Sequence, residues 1–161
     1  IVSGMHFAKK HGLTYKEILK DNFEIDSKVY FKTESNNSKD LISSFSNALT
    51  SYNKSFKKLN INYLVILGDR YETFAAAITA SIMQIPIYHL HGGEATYGSF
   101  DEYFRNCITK LSSIHLVSTE AYRKRVIQMG ENPKNVHNVG ALGLENINKL
   151  KLLNKKKYNL N

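Results

Sequence analysis

From residue 63 to residue 140 one unit recurs: a short apolar run, a turn, then a segment with helical periodicity. The apolar runs are YLVIL (63–67), IPIYHL (85–90), IHLVS (114–118) and VHNVG (136–140). Short continuous apolar runs of this kind read as strands buried on both faces of a sheet. Between them stand ETFAAAITASIM, DEYFRNCITKLS and TEAYRKRVIQMG, the last ending at Gly130 with Pro133 beyond it. Gly and then Pro past a periodic segment are helix-stop signals. Helix-length connections between strands imply parallel pairing through right-handed crossovers. The predicted fold class is therefore α/β, with a doubly wound parallel sheet.

The pattern extends to both sides. Leu41, Ile42, Phe45, Leu49, Tyr52, Phe56 and Leu59 recur at three- and four-residue steps and predict an amphipathic helix that Ser38 could cap. LENINKL begins a further helix, and KKKYNLN reads as a frayed or truncated tail. The first 37 residues carry only a weak helical period in HGLTYKEILKDNF. At 161 residues the chain is the size of one domain with a substantial core. The opening IVSGMHFAKK has neither an initiator Met nor the shape of a signal peptide, so the expectation is a fragment. No run approaches the length of a membrane span. The single cysteine, Cys107, rules out an internal disulfide framework and points to the cytoplasm.

The net charge of +8 raises the question of nucleic acid. Much of it is scattered Lys, with a cluster at 149–157; Arg numbers only four, and no zinc-finger or aromatic RNA-binding signature occurs. A solvated basic surface, able to draw in an anionic substrate, is the preferred reading.

Chemistry concentrates after the first two strands. GDR follows YLVIL, and HGGE follows IYHL. In an open parallel sheet ligands bind beyond the carboxyl ends of the strands, so these two loops are predicted to converge. Asp69 reads either as a turn residue or as an acid/base carboxylate. Arg70 reads as an ion-pair partner of Glu72 or Asp69, or as a group that offsets phosphate charge. Gly92 and Gly93 either let the chain turn or bring backbone N–H groups to an anion. His89 reads as a packed core residue, whereas His91 stands nearer the loop. No conventional metal-ligand spacing accompanies them, so no metal is expected. Ser99 to Glu102 match an S-x-x-E capping box, and Asp101 and Arg105 share a helix face four residues apart.

Taken together, LGDRYE, HLHGGE, ITKLSSIHLVSTEAYRKRVIQMGENPKNV and VGALGLENI, with the opening SGMHFAKKHGLTYKEI, resemble the hydrolysing UDP-N-acetylglucosamine 2-epimerases of bacterial sialic-acid-type sugar synthesis. The likeness covers nearly the whole chain, with several motifs in order at matching intervals. It implies the N-terminal half of a glycosyltransferase-B-like enzyme of two Rossmann-like domains. Residues 1–150 would be the first domain without its first strand and helix, residues 151–161 a truncated tail or linker, and the second domain would lie outside this chain.

The resemblance implies a UDP-sugar substrate, no cofactor, no membrane or nucleic-acid partner, and a homo-oligomer at full length. The implied reaction removes the C2 proton and expels UDP to give a glycal. Water then adds with inversion at C2, which calls for acids and bases on both sides of the ring. Asp69, Glu94 and Asp101 match the family's catalytic carboxylates, with His91 a rival to Glu94 because some relatives carry Glu there. His6, Arg70, His91, Gly92, Gly93 and Arg105 match substrate-contacting positions. Relatives commonly read Ile-Arg-His where this chain has Phe104-Arg105-Asn106, and Asn106 cannot do acid/base work. The sugar is UDP-N-acetylglucosamine or UDP-diacetylbacillosamine. Two alternatives stand beside this: a non-hydrolysing epimerase, and a non-catalytic module that binds a nucleotide sugar or nucleic acid.

Overall fold

The computed structural model describes residues 1–31 and 38–149. The expected tail at 151–161 and the side chain of Ser38, the suggested cap, lie outside the described residues. The predicted alternation is present. Strands β3 (Leu64–Leu67), β4 (Ile87–Leu90), β5 (Ile114–Val117) and β6 (Val136–Asn138) form a parallel sheet in the order β3-β4-β5-β6. Their register aligns Ile66 with His89 and His89 with His115. Two shorter strands, β1 (Val2–Ser3) and β2 (Lys28–Val29), pair parallel with each other as a separate two-stranded sheet.

The helices occupy the crossovers. A short α1 (Tyr15–Lys20) lies between β1 and β2, and α2 (Ser38–Leu59) leads into β3. Then come α3 (Tyr71–Ile82), α4 (Asp101–Leu111) and α5 (Glu120–Gln128), and α6 (Leu142–Lys149) follows β6. α3 is Ala-rich for a reason: Ala75, Ala77 and Ala80 are wholly buried, and their small side chains let the helix sit close on its neighbours. α5 is capped by Thr119, whose hydroxyl accepts from the Tyr122 N–H.

The main core joins Ala48, Tyr52 and Phe56 of α2 to Ile66, the α3 alanines, Ile87 and Ile108. Tyr52 donates to the Ser3 hydroxyl at 2.7 Å, tying α2 to β1, and burial pushes its phenol up to about 12. A smaller cluster of Val117, Val126 and Val136 seats α5.

Three local expectations are corrected. YLVIL is not buried on both faces: Ile66 is buried, but Val65 and Leu67 are 54% and 60% exposed. The sheet order explains this. Right-handed crossovers between strands added in one direction set α3, α4 and α5 all against one face, the face of Ile66, His89, His115 and Val117. On α2, Ile42 points outward, and Ser44 and Ala48 take the inner line instead. The capping box does not form. α4 starts at Asp101, whose N–H reaches the Ser99 hydroxyl at 3.3 Å, while the Glu102 carboxylate accepts from the Thr96 N–H and from Arg105.

Candidate active site

The predicted convergence at the carboxyl edge is observed. The loop after β3 carries Asp69; the loop after β4 carries His91, Gly92, Gly93 and Glu94. Asp69, His91 and Glu94, together with Arg105 of α4, border a cavity of about 280 Å³, completed by Leu67, Gly68, Leu142 and Gly143; Gly92 and Gly93 lie behind its lining.

Arg105 is the hub. Its guanidinium is buried, with Nη1 donating to the Glu94 carbonyl at 3.0 Å and the Glu102 carboxylate at 2.7 Å. Nη2 donates to Thr96 Oγ1 at 3.0 Å and to the Asp69 carboxylate. Two carboxylates on one guanidinium keep a buried cation in place and fix both loops against α4. The local i, i+4 pairing expected with Asp101 is replaced by pairing with Glu102, one turn along, and with Asp69 across the fold.

The second loop is shaped by close approach. An added Cβ at Gly92 would lie 2.9 Å from His89 Nδ1; at Gly93, where φ is +76°, it would lie 2.7 Å from the Tyr122 carbonyl oxygen and a Val126 methyl. Packing alone therefore demands both glycines. His91 adopts a left-handed φ of 65°, an uncommon conformation for a residue with a side chain. That turn brings its Nδ1 2.9 Å from Glu94 Oε1, which also accepts from Ser118 Oγ at 2.8 Å. Arg125 donates to the Gly93 carbonyl at 3.3 Å and braces the loop from α5.

Beneath the cavity His89 is fully buried, as expected of a core residue. Its Nε2 donates to the Gly68 carbonyl at 3.0 Å, just before Asp69. Burial pushes its pKa down from 6.5 to about 4, so the ring is neutral. Its neighbour across the sheet, His115, is also buried and donates to Glu131 at 3.2 Å.

The other expected residues stand apart from the cavity lining. Asp101 is the first residue of α4. Arg70 is exposed and bonds to Glu72 at 3.1 Å. His6 lies in a turn after β1, hydrogen-bonded with the Thr14 hydroxyl at 2.9 Å. Sequence reasoning missed Ser118 and Arg125. Ser118 directly follows β5, so the strand-end rule that found Asp69 could have found it too. Among the described residues no cluster of three or more His, Cys, Asp and Glu is placed to hold a metal ion.

The chain as a whole is similar to known proteins. The chain is 43% identical over 159 residues to polysialic acid biosynthesis protein P7 of Escherichia coli, covering 99% of this chain and 41% of that protein. It is 41% identical over 156 residues to the hydrolysing GDP/UDP-N,N'-diacetylbacillosamine 2-epimerase of Campylobacter jejuni, covering 97% of this chain and 40% of that one. The chain thus spans about two fifths of the length of these curated relatives. The crystal structure of UDP-GlcNAc 2-epimerase from Neisseria meningitidis bound to UDP-GlcNAc superposes with a TM-score of 0.77 at 21% identity, over 96% of this chain and 43% of that one, a likeness of Rossmann-like fold. The family described as UDP-N-acetylglucosamine 2-epimerase matches residues 1–161 from end to end, and the chain belongs to that family.

Proposed function

We propose that the full-length protein is a cytoplasmic hydrolysing 2-epimerase that converts a UDP-linked 2-acetamido sugar into the free manno-configured sugar and UDP. The favoured substrate is UDP-N,N'-diacetylbacillosamine, with UDP-N-acetylglucosamine the second choice. The observation that carries the reading is the meeting of Asp69 with the His91–Glu94 pair around one cavity at the carboxyl edge of the sheet. A C2–H bond next to a departing diphosphate needs proton carriers held in fixed places, and a family match over the whole chain supports that use of them.

The reaction balances as two steps. A base takes the C2 proton, the C2–H electrons form the C1=C2 bond, and the C1–O pair leaves with UDP. Water then supplies hydroxyl to C1 while a proton returns to C2 on the opposite face. We assign Asp69 and the His91–Glu94 pair to the proton transfers, and keep Asp101, at the start of α4 and outside the cavity lining, as a third acid. Arg105 serves here by holding Asp69 and the Glu94 loop in register.

The test is to incubate the full-length enzyme with each UDP-sugar in deuterated water and identify products by NMR. Free sugar carrying deuterium at C2, plus UDP, is the expected result. Release of an intact 2-epimerised UDP-sugar would assign the protein to the non-hydrolysing type. Asp69→Asn is expected to lower turnover by about 10²- to 10⁴-fold, the range for a positioned acid or base. A near-normal rate would return Asp69 to the role of a turn residue.

A further inference from the structure

Within the pair at the second loop, we propose that His91 Nε2 is the group that takes the substrate's proton, and that Glu94 is a positioning residue acting through it. This rests on the epimerase reading above and divides the labour inside it.

The hydrogen bonds fix the roles. An ionised carboxylate only accepts, so at 2.9 Å from Glu94 Oε1 the His91 Nδ1 carries the proton. The neutral ring then leaves its lone pair on Nε2. That atom is shielded from solvent and makes no hydrogen bond, on a residue that borders the cavity. A buried acceptor without a partner is costly, and the cost is removed when a substrate proton reaches it. Glu94 borders the same cavity but is held more firmly. One oxygen, Oε1, is occupied by both His91 and Ser118, and the backbone carbonyl of the same residue is gripped by Arg105. A carboxylate fixed by a serine and lying against an imidazole holds the ring's tautomer and stabilises the imidazolium that forms, as in other base–orienter pairs.

The left-handed backbone of His91 supports the same view. With φ at 65°, a conformation that His, Asn and Asp take more often than other side-chain-bearing residues, the loop turns Nδ1 onto Glu94. In the elimination step Nε2 forms a bond to the C2 hydrogen. The C2–H pair becomes the C1=C2 bond, and the C1–O pair departs with UDP. The imidazolium is left against the Glu94 carboxylate, so charge is created beside an opposite charge.

The experiment uses the full-length enzyme with His91→Asn, His91→Gln and Glu94→Gln. Asn suits a left-handed backbone and guards against a variant that simply misfolds. Both His91 variants are expected to lose about 10²- to 10⁴-fold in kcat, with UDP inhibition constants within about threefold of wild type. They should also lack the acidic limb of the pH–rate profile. Glu94→Gln should keep that limb but displace it to lower pH, because the imidazolium has lost its counter-charge. Nitrogen-15 spectra of the unliganded enzyme should show His91 protonated on Nδ1. The reverse pattern, a limb kept in the His91 variants and lost in Glu94→Gln, would hand the proton to Glu94 and overturn the assignment. A wild-type enzyme releasing free sugar and UDP while both His91 variants stay within about threefold of its kcat would overturn this inference alone. A wild type that releases neither would overturn the epimerase reading beneath it.

Discussion

Two parts of the same sheet use histidine in opposite ways. In the interior of β4 and β5, His89 and His115 are fully buried; at the carboxyl end of β4, His91 borders the cavity. All three make one hydrogen bond through one nitrogen and leave the other nitrogen shielded and unbonded. What separates them is the surroundings of the second nitrogen. For the interior pair, burial penalises the charged form and pushes both pKa values down. A proton has nowhere to come from and no use there, and the rings act as neutral spacers with a donor. His91 sits among Asp69, Glu94 and Arg105, where a charge change has partners. The side chain does not decide the role; the position along the strand does.

The sharpest way to break that contrast is to remove the edge network's centre. Arg105→Met keeps the bulk of the buried side chain but strands the Asp69 and Glu102 carboxylates and the Glu94 carbonyl. Breaking a buried ion pair on one side typically costs about 3–5 kcal/mol. Urea unfolding of the full-length protein should show a loss of that size, together with lost turnover. A loss under about 1 kcal/mol would mean that the edge is as loosely held as a surface pair.

The interior should respond to acid instead. The unfolded His89 binds a proton near 6.5, but the folded one binds it only near about 4. Between those values the unfolded state holds more protons, so stability is full above about pH 6.5 and falls as pH drops toward 4. The gap corresponds to about 3 kcal/mol, and His115, shifted the same way by burial, adds to it. Unfolding free energies at pH 7 and pH 4.5 should reveal the loss, and His89→Gln, which retains a donor for the Gly68 carbonyl, should shrink it. An equally steep loss in the variant would move the cause elsewhere.

Much of this was legible from sequence, and the failures share a cause. The strands, their parallel pairing and the meeting of the GDR and HGGE loops follow from local apolar runs plus one rule about sheet edges. Partners were harder to read. Asp101 and Arg105 lie four apart on a helix, yet Arg105 pairs with Asp69, 36 residues away in sequence, because the converging loop presents a carboxylate that the helix spacing does not. The burial of YLVIL was misread because composition reports hydrophobicity, while exposure depends on which face the crossovers cover. Ile42 gave way to Ser44 and Ala48 on α2 for a related reason: a helix packed closely on another favours small residues at the contact. His115 and its partner Glu131 were not singled out at all, since nothing local marks a histidine inside an apolar run as bonded to a carboxylate beyond the next helix.

That last pair allows the gentlest test of the comparison. Glu131 is shared: His115 Nε2 lies 3.2 Å from Oε2, and the half-exposed Lys110 lies 2.5 Å from Oε1. Burial is the largest influence lowering the His115 pKa; Glu131 opposes it, and Lys110 reinforces it. Lys110→Met should cost less than about 1 kcal/mol at neutral pH, as expected of a solvent-screened pair. It should also leave Glu131 facing His115 alone, which favours the imidazolium and raises the folded pKa toward the unfolded value. The acid-dependent loss contributed by His115 then contracts, so the variant should lose less stability than wild type between pH 7 and pH 5. An NMR titration of the His115 ring protons reports the change directly. If the titration stays where it is or moves downward, Glu131 is not tuning the interior histidine, and the contrast between the sheet's interior and its edge rests on burial alone.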